Sequence, residues 1–215
     1  MGLSVVYEDA ALVVVEKPAG LSSETGVPDA LRELWQSPDA YVGIVHRLDT
    51  PVSGLMVYAK TPAAAAALSR QVTENTLCKV YRAVVADDTG SPLPAEGTLR
   101  DYLFKDSRAG RVYPVKRLRK GVKEAVLDYR TIATHTDAEG QLCLVEITLH
   151  TGRTHQIRAQ FSSRRHPLWG DGKYGSRRKG ALALQCAQLS FCHPVSGQKI
   201  DFALPMPPTV PWSLF

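Results

Sequence analysis

The alternation of apolar and polar residues predicts strands along most of this chain, with helical spacing clearest between residues 28 and 74. Residues 3–7 and 11–16 are apolar runs on either side of Glu8 and Asp9, the pattern of a hairpin, and KPAGL at 17–21 is a turn. From Pro28 the segment PDALRELW places Leu31, Leu34 and Trp35 at helical spacing, which predicts a short helix burying all three. The alanine-rich stretch 62–74 is the clearest helix, with Thr61 as N-cap and Pro62 at the first helical position. Further strands are expected at 78–85, 97–104, 122–132, 141–149, 181–191 and 199–204. Residues 87–121 carry the weakest pattern and read as a mobile stretch, because Gly, Pro and charge predominate there. The Pro-rich end, PMPPTVPW, reads as an extended strap over the surface. The fold class is α+β, a predominantly antiparallel mixed sheet with flanking helices and loops, and no internal repeat is visible.

Length and composition narrow the class. A chain of 215 residues, 44% hydrophobic, is long enough to bury a real core as a single domain, or as one domain with two closely joined halves. No stretch approaches the roughly 20 consecutive apolar residues of a membrane helix. The amino terminus lacks a basic start, and Glu8 and Asp9 interrupt its apolar run, so a signal peptide is not expected and a cytoplasmic location follows by default. Cys78, Cys143, Cys186 and Cys192 form no CxxC pair and have no zinc-ligand spacing with the histidines, so neither metal nor disulfide is inferred. The net charge of +5 is unevenly spread: residues 105–123 carry +7 and residues 158–179 carry +6, which leaves −8 for the rest. Concentrated basic surface in an otherwise acidic chain suits a polyanion, although a solvated charged loop gives the same pattern.

The candidate chemistry begins in HRLDTPVSGLMVYAK, residues 46–60. Two apolar segments, Tyr41–Val45 and Leu55–Ala59, flank a Pro-Val-Ser-Gly turn, so Asp49 falls on the loop between two strands. There it is either a catalytic carboxylate or an acid that pairs with Arg47 or stabilises its own turn. A second polar segment, HTGRTHQIRAQFSSRRHPLWGDGKYG at 150–175, packs Arg153, His155, Gln156 and Arg158 into six residues.

With HRLD, KVYRAVV at 79–85, RTHQIR, HPLWGDGKYG and LSFCHP at 189–194 in that order, the chain resembles the RluA-type family of RNA pseudouridine synthases over nearly its whole length. The resemblance implies one pseudouridine synthase catalytic domain over residues 1–215, without the S4 RNA-binding domain that many relatives carry. It implies a monomeric enzyme that needs no cofactor and detaches uracil from ribose, turns the base and rejoins it through carbon 5. The substrate would be a uridine flipped out of structured RNA, transfer RNA or large-subunit ribosomal RNA. Asp49 matches the family's essential aspartate, acting as nucleophile or as acceptor of a ribose proton. Arg158 matches the arginine that pairs with it, the alternative being a helix-surface residue. Tyr81 matches the tyrosine that stacks on the uracil and takes the carbon 5 proton, and Leu184 an apolar residue covering the other face, where simple core packing is the competing role.

On the substrate side the resemblance also places Arg47, which fills the space left by the flipped nucleotide, and His46, which holds the loop. Arg153, Arg164, Arg165 and Lys173 join them as RNA-binding residues, the last three through phosphates. Lys17 and Pro18 match a structural KP turn. The chain departs from the family at Val52, where a Thr is usual, and at Gln160 and Gln185, where His is usual; the paired change suggests that these two side chains touch. Two other classes stay open: an RNA-binding or ribosome-assembly protein without turnover, and a hydrolase using Asp49 with water, for which no second acid stands in a recognisable position.

Overall fold

The computed structural model describes residues 3–87 and 92–215. In chain order its strands and helices are β1 (Ser4–Glu8), β2 (Leu12–Lys17), α1 (Gly26–Leu34), β3 (Gly43–Ile44), β4 (Ser53–Ala59), α2 (Pro62–Thr73), β5 (Cys78–Asp87) and β6 (Glu96–Asp106). They continue with β7 (Arg111–Val115), β8 (Val122–Asp137), β9 (Gly140–Leu149), α3 (Gln156–Ser163), β10 (Leu184–Cys192) and β11 (Lys199–Ala203). The chain divides into two compact units, Met1–Lys79 with Gln185–Pro205, and Val80–Leu184 with Met206–Phe215.

In the first unit β1 and β2 form the expected hairpin, turned by Asp9, whose Oδ1 accepts the N–H groups of Ala11 and Leu12 at 2.7 and 2.9 Å. β2 pairs antiparallel with β4 from Leu12↔Ala59 to Lys17↔Gly54, and β10 joins β4 in parallel at Gln185↔Ser53 and Cys186↔Gly54. Here a glycine is required: Gly54 has φ +123°, and a Cβ would come within 2.4 Å of the Cys186 carbonyl oxygen. Residues Leu12–Val15 and Leu55–Ala59 are fully buried, as expected of strands covered on both faces, and Leu31 and Leu68 from the helices pack into the core. Thr61 caps α2 as expected, its Oγ1 accepting from Ala64 N–H. The α1 expectation holds at Leu31 and fails at two positions, for Trp35 is only half-buried, just beyond the helix end. Leu34 is 53% exposed, because the helix ends there and the chain leaves through Gln36 at φ +52°.

The second unit is antiparallel, in the order β5-β9-β8-β6-β7, with α3 contributing Ala159 to a core that also holds Leu103, Val112, Ala125 and Tyr174. The stretch expected to be mobile contains a regular hairpin, β6–β7, while residues 88–91 lie outside the described residues. Its pattern was faint because few inward positions are apolar, and because Pro114 lies within β7. An edge strand tolerates that proline, since one row of its N–H groups has no neighbouring strand. The carboxyl-terminal strap is anchored rather than laid on the surface. Trp212, 6% exposed, packs with Val84, Ala86, Leu142, Leu144 and Ala183. Among the described residues, no helix is long and apolar enough to cross a membrane.

Candidate active site

The loop between β3 and β4 carries Asp49, and it is tied down through the main chain on both sides of that residue. Ser23 Oγ, itself buried, donates to Leu48 O at 2.8 Å. On the other side Thr50 O accepts from Gly20 N–H at 2.8 Å and from Lys17 Nζ at 3.1 Å, and Val52 N–H closes the turn onto Asp49 O at 2.9 Å. Lys17 is wholly buried, and its ammonium also donates to Pro18 O and Leu21 O. Burial pulls the Lys17 ammonium down to about 8, with the Asp49 charge acting in the opposite direction. The side chain that sequence assigned to a turn therefore joins that turn to the Asp49 loop and places a positive field beside the carboxylate. Val52 is buried, so an apolar side chain suits the position where the family has Thr.

His46 lies in the interior. Its Nε2 accepts from Val57 N–H at 3.1 Å, which puts the ring proton on Nδ1, a nitrogen with no hydrogen-bond partner among the described residues. Burial, and then the nearby Lys79 ammonium, hold this imidazole well below its usual range, so it is neutral at pH 7. These contacts fit loop-holding rather than direct contact with a substrate. Arg47 points outward and pairs with Glu24 at 2.9 Å, not with Asp49.

In the second unit Tyr81 is buried on β5 opposite Ile147 of β9, and Leu184 is buried at the start of β10. Arg158 is not a helix-surface residue: it is 4% exposed, and its Nε and Nη2 meet the two carboxylate oxygens of Asp171 at 2.7 and 2.8 Å. Nothing in the sequence pattern points to this pair beyond Asp171 being the one acid among seven cations in residues 158–179. Tyr174, also unassigned, lies under the Arg158 guanidinium, 5.0 Å from ring centroid to Cζ.

The expected RNA-binding residues separate into two sets. Arg153 donates through Nε to Glu124 O, and Arg164 is tied to Asp101 at 2.7 Å and to Gln160 O, so both have internal partners. Arg165 and Lys173 are exposed. Gln160 spends its amide nitrogen on Leu99 O, Asp101 and Ala125 O, while its Oε1 has no hydrogen-bond partner among the described residues.

The sequence profile of the RNA pseudouridylate synthase family matches residues 11–163, a span that holds Asp49, Tyr81 and Arg158. The chain belongs to that family. Ribosomal large subunit pseudouridine synthase D of Neisseria meningitidis serogroup B is 36% identical over 96% of this chain, and that of Zymomonas mobilis is 36% identical over 95%. The chain spans 59% of the length of the Neisseria protein and 69% of the Zymomonas protein. The solved structure of human RNA pseudouridylate synthase domain containing 1 superimposes with a TM-score of 0.82 at 25% identity, covering all of this chain and 86% of the human one. Human RNA pseudouridylate synthase domain containing 4 shares the fold, with a TM-score of 0.75 at 22% identity over 95% of this chain and 88% of that one.

For a member of an RNA-modifying family the two basic runs differ in a useful way. In residues 158–179, Arg158, Arg164 and Arg178 are consumed by Asp171, Asp101 and Asp137. In residues 105–123 no cation forms an ion pair among the described residues. Lys105, Arg108, Lys116, Arg117, Arg119, Lys120 and Lys123 are all exposed there.

Proposed function

We propose that this protein isomerises specific uridines to pseudouridine in structured RNA, with large-subunit ribosomal RNA the first substrate to test and transfer RNA the second. The observation that carries the proposal is the family match over a span that contains Asp49, Tyr81 and Arg158. In this reaction the bond from ribose C1′ to uracil N1 breaks, the base turns, and a bond from C1′ to C5 forms; C5 loses a proton and N1 gains one. No oxidant or reductant is needed for that balance. Asp49 supplies the carboxylate, either attacking C1′ or removing a ribose proton, and Arg158 orients it. Tyr81 stacks on the base and receives the C5 proton, and Leu184 covers the other face.

A uridine inside a stem must leave the stack at a cost of a few kcal/mol, and Arg47 takes the vacated space after exchanging Glu24 for RNA. The exposed cations of residues 105–123, with Arg165 and Lys173, hold phosphates and add affinity without sequence preference. The protein is proposed to act as a cytoplasmic monomer.

A map of pseudouridine across ribosomal and transfer RNA, in cells lacking this protein and restored with wild type or Asp49→Ala, tests the proposal. A uridine modified by wild type and not by the variant is the expected result. No difference at any position would sink catalysis and favour an RNA-binding protein that uses the exposed basic segment without turnover.

A further inference from the structure

We infer that Asp171 is a positioning residue for Arg158: it fixes which edge of the guanidinium serves the reaction, with the Tyr174 ring as the surface on which that guanidinium rests. The inference rests on the proposed role of Arg158. Both partners are buried, Arg158 at 4% and Asp171 at 2% exposure, and the two parallel bonds run from Nε to Oδ2 and from Nη2 to Oδ1. A bidentate pair of this kind sets the plane of the guanidinium as well as its position. It uses the Nε–Nη2 edge, so the work of Arg158 in the reaction falls to the Nη1 corner.

A turn-forming role does not account for the Asp171 side chain. Asp171 stands at the N-cap of a 3-10 turn, Gly172–Tyr174, where an aspartate ordinarily caps the free N–H groups, yet its carboxylate makes no capping bond. The turn is closed by main-chain bonds instead, from Tyr174 N–H and Ser176 N–H to Asp171 O, both at 3.0 Å. Asp106, the lone acid of the other basic run, shows the ordinary behaviour: its Oδ1 accepts from Arg108 and Ala109 N–H.

Tyr174 is held on three sides. Its hydroxyl accepts from Val112 N–H at 2.9 Å and lies 2.9 Å from His155 Nδ1, while its carbonyl accepts from Ser162 Oγ at 2.6 Å. His155, the N-cap of α3, has φ +50°, an uncommon left-handed conformation for a residue with a side chain, and the contact with Tyr174 fixes it three residues before Arg158. The helix turn, the ring and the carboxylate thus orient one guanidinium, and Asp171 neutralises it in place. Arg158 then acts through directed hydrogen bonds rather than as a bare buried cation.

The test compares wild type, Asp171→Asn, Asp171→Glu, Arg158→Lys and the Asp171→Asn/Arg158→Lys double variant. Pseudouridine formation is followed on large-subunit ribosomal and transfer RNA isolated from cells lacking the protein, and thermal melting is recorded for each variant. Asp171→Asn should lower kcat by about 30-fold or more while KM stays within about 3-fold, because the group it orients acts on the reacting atoms. Asp171→Glu, which keeps the charge on a longer arm, should retain more of kcat than Asp171→Asn. With Lys at position 158 there is no fork to orient, so Asp171→Asn should then change kcat by less than about 2-fold.

A kcat within about 2-fold of wild type for Asp171→Asn, or effects that multiply in the double variant, would overturn the inference. If Asp171→Asn does not fold, Asp171→Glu in the two backgrounds decides by the same comparison. Wild type that forms no pseudouridine in either RNA brings down the proposed function and this inference with it, whereas active wild type with an indifferent Asp171 brings down the inference alone.

Discussion

The loop carrying Asp49 and the helix turn carrying Arg158 are both fixed, but by different kinds of bond. On either side of Asp49 the anchors are main-chain carbonyls, Leu48 O and Thr50 O, gripped by Ser23, Gly20 and Lys17. Around Arg158 the anchors are side chains, a carboxylate at 2.7 and 2.8 Å and a tyrosine ring at 5.0 Å. Main-chain anchoring builds the scaffold of Asp49 from its neighbours' carbonyls, which any residue at those positions would supply. Side-chain anchoring makes Arg158 a part of its own scaffold. A loss of activity on replacing Arg158 therefore combines chemistry with stability.

Arg158→Ala should sharpen that contrast most. It leaves the Asp171 carboxylate buried without this partner, a cost of about 3–5 kcal/mol in unfolding free energy, read from urea denaturation. A loss under about 1 kcal/mol would mean that the pair adds little net stability, and would break the contrast at its stronger end.

Lys17→Met comes next. It deprives three carbonyl acceptors, in partly buried bonds, of one donor, which should cost about 1–3 kcal/mol. The same residue gives a pH signature. The folded ammonium titrates at about 8, below its ordinary 10.5, so between these values the unfolded chain holds more protons, and this group makes stability rise with pH. Activity should run the other way and fall above about pH 8, as the neutral amine loses one of its three donors and the Asp49 loop loosens. Wild type should show both trends in denaturation and in the pH–rate profile, and Lys17→Met should show neither.

Glu24→Gln is the smallest expected effect. The Arg47–Glu24 pair is more than half exposed on both sides, so its loss should change stability by no more than about 0.5 kcal/mol. RNA affinity should rise modestly, because Arg47 no longer exchanges one partner for another; a filter-binding titration at fixed salt measures it, and weaker binding would contradict the proposed role of Arg47.

Much of the fold is legible in the residues. The hairpin about Asp9, the Thr61–Pro62 start of α2 and the β3–loop–β4 placement of Asp49 all follow from local rules that act within a few residues. The β6–β7 hairpin was obscured because its inward positions are sparsely apolar and its edge strand carries Pro114, signals that ordinarily argue against a strand. Leu34 shows the opposite error, since helical spacing alone does not say where a short helix stops. In the candidate site, Asp49, Tyr81 and Arg158 could be named from ordered motifs, while Lys17 appeared only as part of a turn and the partner of Arg158 was not legible.

The α+β class, the membership of the family and the identity of the residues that match its motifs follow from side-chain order and short-range pattern. How those residues are held depends on the path of the chain through the fold. It turned Asp171 away from its own turn and onto a guanidinium 13 positions earlier, and carried the Lys17 ammonium to a carbonyl 33 positions away. It also removed Arg158, Arg164 and Arg178 from the basic surface by pairing each with an acid. A buried charge must find a partner, and the chain's path through the sheet and loops, not the spacing of residues along it, determines which partner is within reach.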